Sequence, residues 1–304
     1  MRFFMDVNPV ADSEDAGSSA DSIARVAAAL EAAGFDGIGF TDHPAPSAKW
    51  LAGGGHATLD PFAALAFCAA ATSTISLLSH LLVVPYRNPL LQTTSIASVD
   101  FLSKGRSIFV LGAGYLRSEF AALGVDFERR NELFDEYVDV IQAYSTGKEM
   151  AREGTGYRAI GQRRTPVAVQ RPHPPFWLGG NSSRTRDRVA KWADGWSVLM
   201  GSPTLAATSR TASISTLDEL RIGIEDVWRR ADSYGRDASL ITIQASSEVL
   251  ALNDAVSPGQ QLEEISRLAE IGVTWVHVPM GHWGTEETLD RIASFGADVI
   301  APSR

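Results

Sequence analysis

Residues 75–111 read ISLLSHLLVVPYRNPLLQTTSIASVDFLSKGRSIFVL, and this stretch decides the fold. Ile75 to Val84 is a nearly unbroken apolar run, as expected of a strand covered on both faces in a parallel sheet. Pro89 then opens a helical pattern to Leu102, the position where a first helical turn tolerates proline. Ser107 to Leu111 is a second apolar strand. A strand, a helix and a strand joined by short loops make one βαβ unit.

The same unit recurs outward in both directions. Upstream, Phe3 to Val7 reads as a strand, followed from Ser22 by Ile23, Val26, Ala27, Leu30 and Ala33 at helical spacing until Gly34. Gly37 to Thr41 is the next strand and Pro61 to Ala71 the next helix. Downstream, the helix Arg129 to Ser145 sets Leu133, Tyr137, Val140, Ile141 and Tyr144 on one face. Thr146 to Pro175 breaks the rhythm with Gly147, Gly154, Gly156, Gly161 and several prolines, and reads as an insertion over the barrel rim. Alternation resumes with Phe176 to Leu178, a helix after Ser182 and the strand Gly195 to Met200. The polar connection Ser202 to Thr216 is expected to be a mobile loop. A helix to Ser233, strand Leu240 to Gln244, helix Gln260 to Glu270, strand Val273 to Val278 and helix Glu286 to Phe295 follow. About eight units over 304 residues imply a single-domain (β/α)8 barrel with an insertion at about 146–175. No Gly-x-Gly-x-x-Gly follows the first strand, which sets aside a doubly wound dinucleotide-binding sheet.

Composition narrows the function. With 27 Lys+Arg against 36 Asp+Glu the formal charge is −9, which argues against a general nucleic-acid surface. Cys68 is the one cysteine, excluding an intrachain disulfide framework and Cys-rich metal centres and fitting a reducing cytoplasm. No stretch reaches the ~20 apolar residues of a membrane span, and Met1 to Asp6 lacks the apolar core of a signal peptide. The expected partner is a small molecule, not nucleic acid or a membrane.

Barrel active sites form at the C-terminal ends of the strands. The second strand ends in Thr41-Asp42-His43-Pro44, where a carboxylate and an imidazole either position a ligand and move a proton or cap and fill the rim. In the third, His80 either makes a core hydrogen bond or points into a central pocket. Arg87, in the loop beyond, either binds an anion or makes a salt bridge. The fourth ends in Gly112-Ala113-Gly114-Tyr115, with Ser118 and Glu119 just beyond; the glycines allow a flat ligand close approach or simply a tight turn. Leu178-Gly179-Gly180-Asn181-Ser182-Ser183 opens a helix with the small residues and free N–H groups of a phosphate site, or with plain caps. His277 and His282 surround the last strand end. His56, His173, His277 and His282 include no pair at a helical ligand spacing, so no metal site is expected. No Gly-x-Ser-x-Gly elbow is present.

Taken together, several segments resemble the luciferase-like monooxygenase superfamily, and within it the oxidoreductases that use the deazaflavin coenzyme F-420. They are Gly34-Phe35-Asp36-Gly37 with Asp42-His43, Pro85-Tyr86-Arg87-Asn88-Pro89, Leu102-Ser103-Lys104-Gly105-Arg106, Leu111-Gly112-Ala113-Gly114-Tyr115 with Glu119-Phe120, Pro172 to Gly180, and Ala193-Asp194-Gly195-Trp196. The resemblance covers nearly the whole chain. It implies the luciferase-like (β/α)8 barrel with a bulge in strand three carrying a non-prolyl cis peptide, here at Ser79-His80-Leu81. It implies a deazaflavin or flavin ring in the mouth near Asp42, Ser79, His80, Leu81, Gly112, Gly114 and Ser118, with the phosphate at Leu178, Gly179, Gly180, Asn181 and Ser182. His43 and Tyr115 are then the catalytic candidates, Tyr115 standing where some relatives carry an acid, while Leu78 and His80 replace small residues of the bulge. The implied activity is hydride transfer between F-420 and a small organic substrate, by a homodimer in the cytoplasm. The alternatives are an FMN-dependent monooxygenase fed by a separate flavin reductase, and a noncatalytic flavin-binding or deazaflavin-binding barrel. Arg87, Arg163, Arg164 and Arg171 are read either as rim cations for the acidic tail of F-420 or as a solvated surface.

Overall fold

The computed structural model describes residues 1–7, 20–253, 255–281 and 284–304. The elements are β1 (Arg2–Asp6), α1 (Ala20–Ala32), β2 (Gly37–Phe40), α2 (Ala48–Ala52), α3 (Pro61–Ala71), β3 (Ser76–Val83), α4 (Pro89–Leu102), β4 (Ser107–Gly112), α5 (Arg117–Ala122) and α6 (Arg130–Ser145). A hairpin of β5 (Glu149–Gly154) and β6 (Tyr157–Arg163) follows, then β7 (Phe176–Gly179), α7 (Ser183–Trp192), β8 (Gly195–Ser197), α8 (Pro203–Thr208) and α9 (Leu217–Ser233). The chain continues through β9 (Thr242–Ser246), α10 (Pro258–Glu270), β10 (Trp275–His277) and α11 (Thr285–Phe295). Eight parallel strands close in the order β1-β10-β9-β8-β7-β4-β3-β2, so the chain forms a (β/α)8 barrel. Among the described residues, no helix is long and apolar enough to cross a membrane.

Period-two alternation builds the barrel interior in two levels. The lower is an apolar plug of Phe4, Leu78, Val110, Trp177 and Trp275. Small residues make room for its rings: a Cβ on Gly37 would lie 2.6 Å from Leu78 and one on Gly195 2.6 Å from Trp177. Two residues further along the strands stand Asp6, Gly39, His80, Gly112, Gly179 and Ser197, with Gln244 midway along β9 and His277 at the end of β10. The upper level is therefore polar and glycine-rich. It is the floor of the mouth.

Three expectations change. The insertion is a hairpin on the outer flank of the barrel: Glu136 on α6 accepts from Thr155 N at 2.7 Å, and Asn88 donates to the Gly156 carbonyl at 2.9 Å. Its turn reaches the rim from outside, and none of its residues lines the mouth. The connection Ser202 to Thr216 contains α8 and is tied down, with Thr211 Oγ1 accepting from Asn181 N at 2.7 Å. The ninth strand starts at Thr242 rather than Leu240, because Asp237 accepts from Ser239 N at 2.9 Å and holds Ala238–Leu240 in a 3₁₀ turn. His282 lies outside the described residues.

One carboxylate ties α1 to the entry of β3. Glu31 accepts from Ser73 N, Thr74 Oγ1 and Ile75 N at 2.8–2.9 Å. Burial opposes its charge, but these hydrogen bonds win and hold its pKa at about 2, against an ordinary 4.5. A depressed folded-state pKa means that the unfolded chain binds the extra proton, so this stabilisation is present above 4.5 and lost as pH falls toward 2. Glu31→Gln is thus expected to lower stability in urea unfolding at neutral pH, and to lose that disadvantage in acid. An equal difference at both pH values would refute the assignment.

Candidate functional site

The mouth holds a cavity of about 690 Å³ lined by the C-terminal strand ends and the loops above them. Its wall is shaped by β3. The register with β4 shifts between His80 and Leu82, and the His80–Leu81 peptide is cis, at the bulge that the resemblance implies. Leu81 then lies across the space left by two glycines, since a Cβ on Gly112 or Gly179 would meet its methyl groups at 2.5 and 2.4 Å. Glycine at both positions is what lets an apolar shelf form beside the cavity.

His43 sits at one side. Its Nδ1 is 3.1 Å from Glu119 Oε2, and its ring packs 4.5 Å from Trp50. Glu119 is fully buried and also accepts from Tyr86 OH at 2.9 Å and Ala45 N at 3.2 Å. A carboxylate anchored in this way holds the imidazole in one orientation. Tyr115 lies 6.0 Å from His43, ring to ring. Burial, aided by Glu119, pushes its phenol up to about 12, so it is a neutral hydrogen-bonding group at physiological pH.

Of the other site residues read from sequence, Asp42, His80, Leu81, Gly112, Gly114, Leu178, Gly179, Gly180 and Ser182 line the cavity, while Ser79, Ser118 and Asn181 do not. Ser79 is buried and donates to Val110 O. Ser118 is exposed on α5. Asn181 is a brace, its amide donating to Leu199 O and Ala212 O and its oxygen accepting from Leu199 N. Asp42 is spanned by Arg87 at 2.6 and 2.8 Å. Arg87 is therefore a salt-bridge partner. Arg163 is bonded to the base of the hairpin at Gly147 O, and neither it nor Arg164 nor Arg171 lines the cavity.

The cations at the mouth are different ones. Arg130, Arg184 and Arg210 line the cavity beside Ser182 and Thr185, and none is paired with a carboxylate among the described residues. Arg117, Arg130 and Arg210 surround the Phe127 ring at 4.3, 4.0 and 5.3 Å. Burial weakens the protonation of Arg130, and Arg210, Arg117 and Arg184 add their repulsion against the support of Glu128. Arg188, by contrast, is neutralised by Asp135 at 2.7 Å. Close like charges at a helix N-terminus are relieved by an anion.

Gly179 and Gly180 serve this corner indirectly. Gly180 N already donates to Ser197 O at 3.2 Å, and Asn181 N to Thr211 Oγ1 at 2.7 Å, so neither N–H is free for a ligand. Gly180 has φ +105°, a left-handed conformation that supplies the turn and the room.

Asp6, Ser197 and Gln244 are absent from the residues read from sequence; Asp6 and Ser197 end β1 and β8, and Gln244 lies midway along β9. Strand-end position was the available signal for Asp6 and Ser197.

A family model described as luciferase-like monooxygenase matches residues 1–257. An uncharacterized protein of Mycobacterium tuberculosis is 29% identical over 220 residues, covering 72% of this chain and 68% of the other. The solved monooxygenase RslO1 from Streptomyces bottropensis superposes with a TM-score of 0.82 at 18% identity, covering both chains fully. The coenzyme F-420 dependent tetrahydromethanopterin reductase of Methanopyrus kandleri gives 0.75 at 16% identity, over 100% of this chain and 99% of that one. At such identities these two superpositions speak for the barrel alone. The match over residues 1–257 speaks for descent: the chain belongs to the luciferase-like monooxygenase family of oxidoreductases.

Proposed function

We propose that the chain is an oxidoreductase that binds the deazaflavin F-420 in the barrel mouth and exchanges a hydride between it and a small organic substrate. The observation that carries this reading is the unneutralised group of Arg130, Arg184 and Arg210 beside the start of α7. It exceeds what one phosphate requires and suits a cofactor with a phosphate and an acidic tail. The apolar shelf at Leu81, between Gly112 and Gly179, fits a flat ring. Bound F-420 supplies a ring carbon that gives or takes the hydride. The residues of this chain do the rest: the shelf orients the ring, the arginines fix its anionic end, and His43, held by Glu119, moves a proton at Nε2. The second reading is an FMN-dependent monooxygenase. It is favoured by a relative described as FMNH2-dependent dimethylsulfone monooxygenase from Pseudomonas putida, 27% identical over 41% of this chain and 35% of its own.

Fluorescence titration with F-420 and with FMN separates these readings. F-420 is expected to bind more tightly, with the margin shrinking at high salt as the arginines are screened. Tighter FMN binding would favour the monooxygenase, and no binding of either would reject both. Gly180→Val is expected to weaken cofactor affinity by about tenfold or more, since the free variant relieves the about 1–3 kcal/mol strain of a branched residue at positive φ by moving the turn, binding must restore it, and 1.4 kcal/mol is one decade. Unchanged affinity in the folded variant would remove α7 and its glycine turn from the cofactor site.

A further inference from the structure

Asp6, His80 and His277 come from three strand ends, and each offers a ligand atom within 4.8 Å of the others. Asp6 Oδ2 is 2.6 Å from His80 Nδ1 and 3.3 Å from His277 Nε2. The intervening strand β2 permits this meeting through Gly39, where a Cβ would lie 3.6 Å from His80 Cβ and would overlap Asp6 Oδ1. Phe4 wedges both imidazoles from below, at centroid distances of 5.0 and 5.1 Å. All three residues open onto the mouth cavity.

The hydrogen bonds around His80 have a fixed direction. Gln244 Oε1 can only accept, so the Ser197 hydroxyl donates to it. Ser197 Oγ then accepts from His80 Nε2 at 3.2 Å. That leaves His80 Nδ1 as the atom facing the carboxylate. A lone pair and an anionic oxygen at 2.6 Å share a proton; a metal ion bound by both atoms at about 2.0–2.2 Å takes that proton's place once they part to about 3 Å or more. A ligand imidazole whose other nitrogen donates to a fixed acceptor is the usual arrangement around bound metals. Asp6 Oδ1 is also buried without a hydrogen-bond partner, which leaves that oxygen open to a bond to an ion.

We propose that Asp6, His80 and His277 form a site for a divalent transition metal of the zinc class, with its remaining position open to the cavity. One carboxylate and two imidazoles with an open fourth position are a donor set that suits such an ion. The ligand at that position is an oxygen, from water or from a carbonyl or hydroxyl of the substrate. The expectation of no metal rested on helical histidine spacing. These ligands are brought together by barrel closure instead.

The test uses the full chain, stripped with EDTA and free of flavin, so it does not depend on which cofactor binds. Co²⁺ is titrated while its visible absorption is followed, and Zn²⁺ is then added as a competitor. One saturable equivalent of Co²⁺, displaced by Zn²⁺, is expected. Asp6→Asn and His277→Gln should abolish the saturable signal. Ser197→Ala, which loosens His80 without removing a ligand, should weaken affinity about 10–100-fold. His43→Ala should leave binding unchanged, because His43 and His56 form a separate pair of rings 5.3 Å apart. Circular dichroism of each variant confirms the fold. No saturable binding by the native chain would overturn the proposal and leave a proton between Asp6 and His80. Binding that survives Asp6→Asn and His277→Gln, or that is lost on His43→Ala, would also overturn it.

Discussion

Asp42→Ala is expected to destabilise the chain by about 3–5 kcal/mol, the range for removing one partner of a buried ion pair. That is a large share of a typical stability of about 5–15 kcal/mol. Asp42 is 2% exposed. Its Oδ2 accepts from Arg87 Nη1 at 2.6 Å and Val83 N at 3.0 Å, and its Oδ1 from Arg87 Nη2 at 2.8 Å. The pair clamps the end of β2 to the end of β3, just beyond the bulge. Arg87 reaches on to Asp60 at 3.2 Å, whose other oxygen caps α3 through Phe62 N and Ala63 N. Without Asp42, the guanidinium stays largely buried against Phe62 with one more exposed partner. Asp60→Ala should cost about 1 kcal/mol, the value of a cap and an exposed pair. Urea unfolding of both variants without cofactor checks the order. A cost below about 1 kcal/mol for Asp42→Ala would refute the clamp.

The barrel was legible because its signal is local. An apolar run such as Ile75 to Val84 and a helix opening at Pro89 depend only on neighbours in the chain. Half of the mouth was legible for a similar reason: the ends of β2, β3, β4 and β7 carry unusual clusters of His, Gly and small polar residues. What escaped is non-local. Arg87 reads equally as an anion binder or a salt-bridge partner until the fold brings it to Asp42, 45 residues earlier in the chain. Arg130, Arg184 and Arg210 begin helices or sit in a connection, and nothing in their surroundings announces that they meet in one corner of the mouth. Asp6, Ser197 and Gln244 are isolated polar residues in separate strands, and only closure of the barrel makes them neighbours of His80. Gly39 shows the same limit in reverse. A glycine in a strand could mark a bulge or a close approach, and its purpose here becomes visible only with Asp6 beside it.

His43→Asn is expected to reduce kcat by about 10²–10⁴-fold while changing cofactor affinity far less, the signature of a lost proton-transfer group. The imidazole is tethered through Nδ1 to Glu119 and packed against Trp50, which leaves Nε2 to face the cavity. Glu119 is itself anchored by Tyr86 and Ala45. The ring is thus held in place before any ligand arrives. Asparagine keeps a polar group near the same place but cannot accept and release a proton there. Tyr115 cannot replace it, because a phenol pushed up to about 12 holds its proton too firmly to act as a base there. Glu119→Gln should fall between wild type and His43→Asn, since it keeps the imidazole but weakens the charge that fixes its tautomer. The measurement sets kcat and cofactor Kd side by side across the neutral pH range. A His43→Asn variant with full turnover and an unchanged pH profile would leave His43 as a wall of the cavity and move proton transfer to the other histidines that line it, His56, His80 and His277.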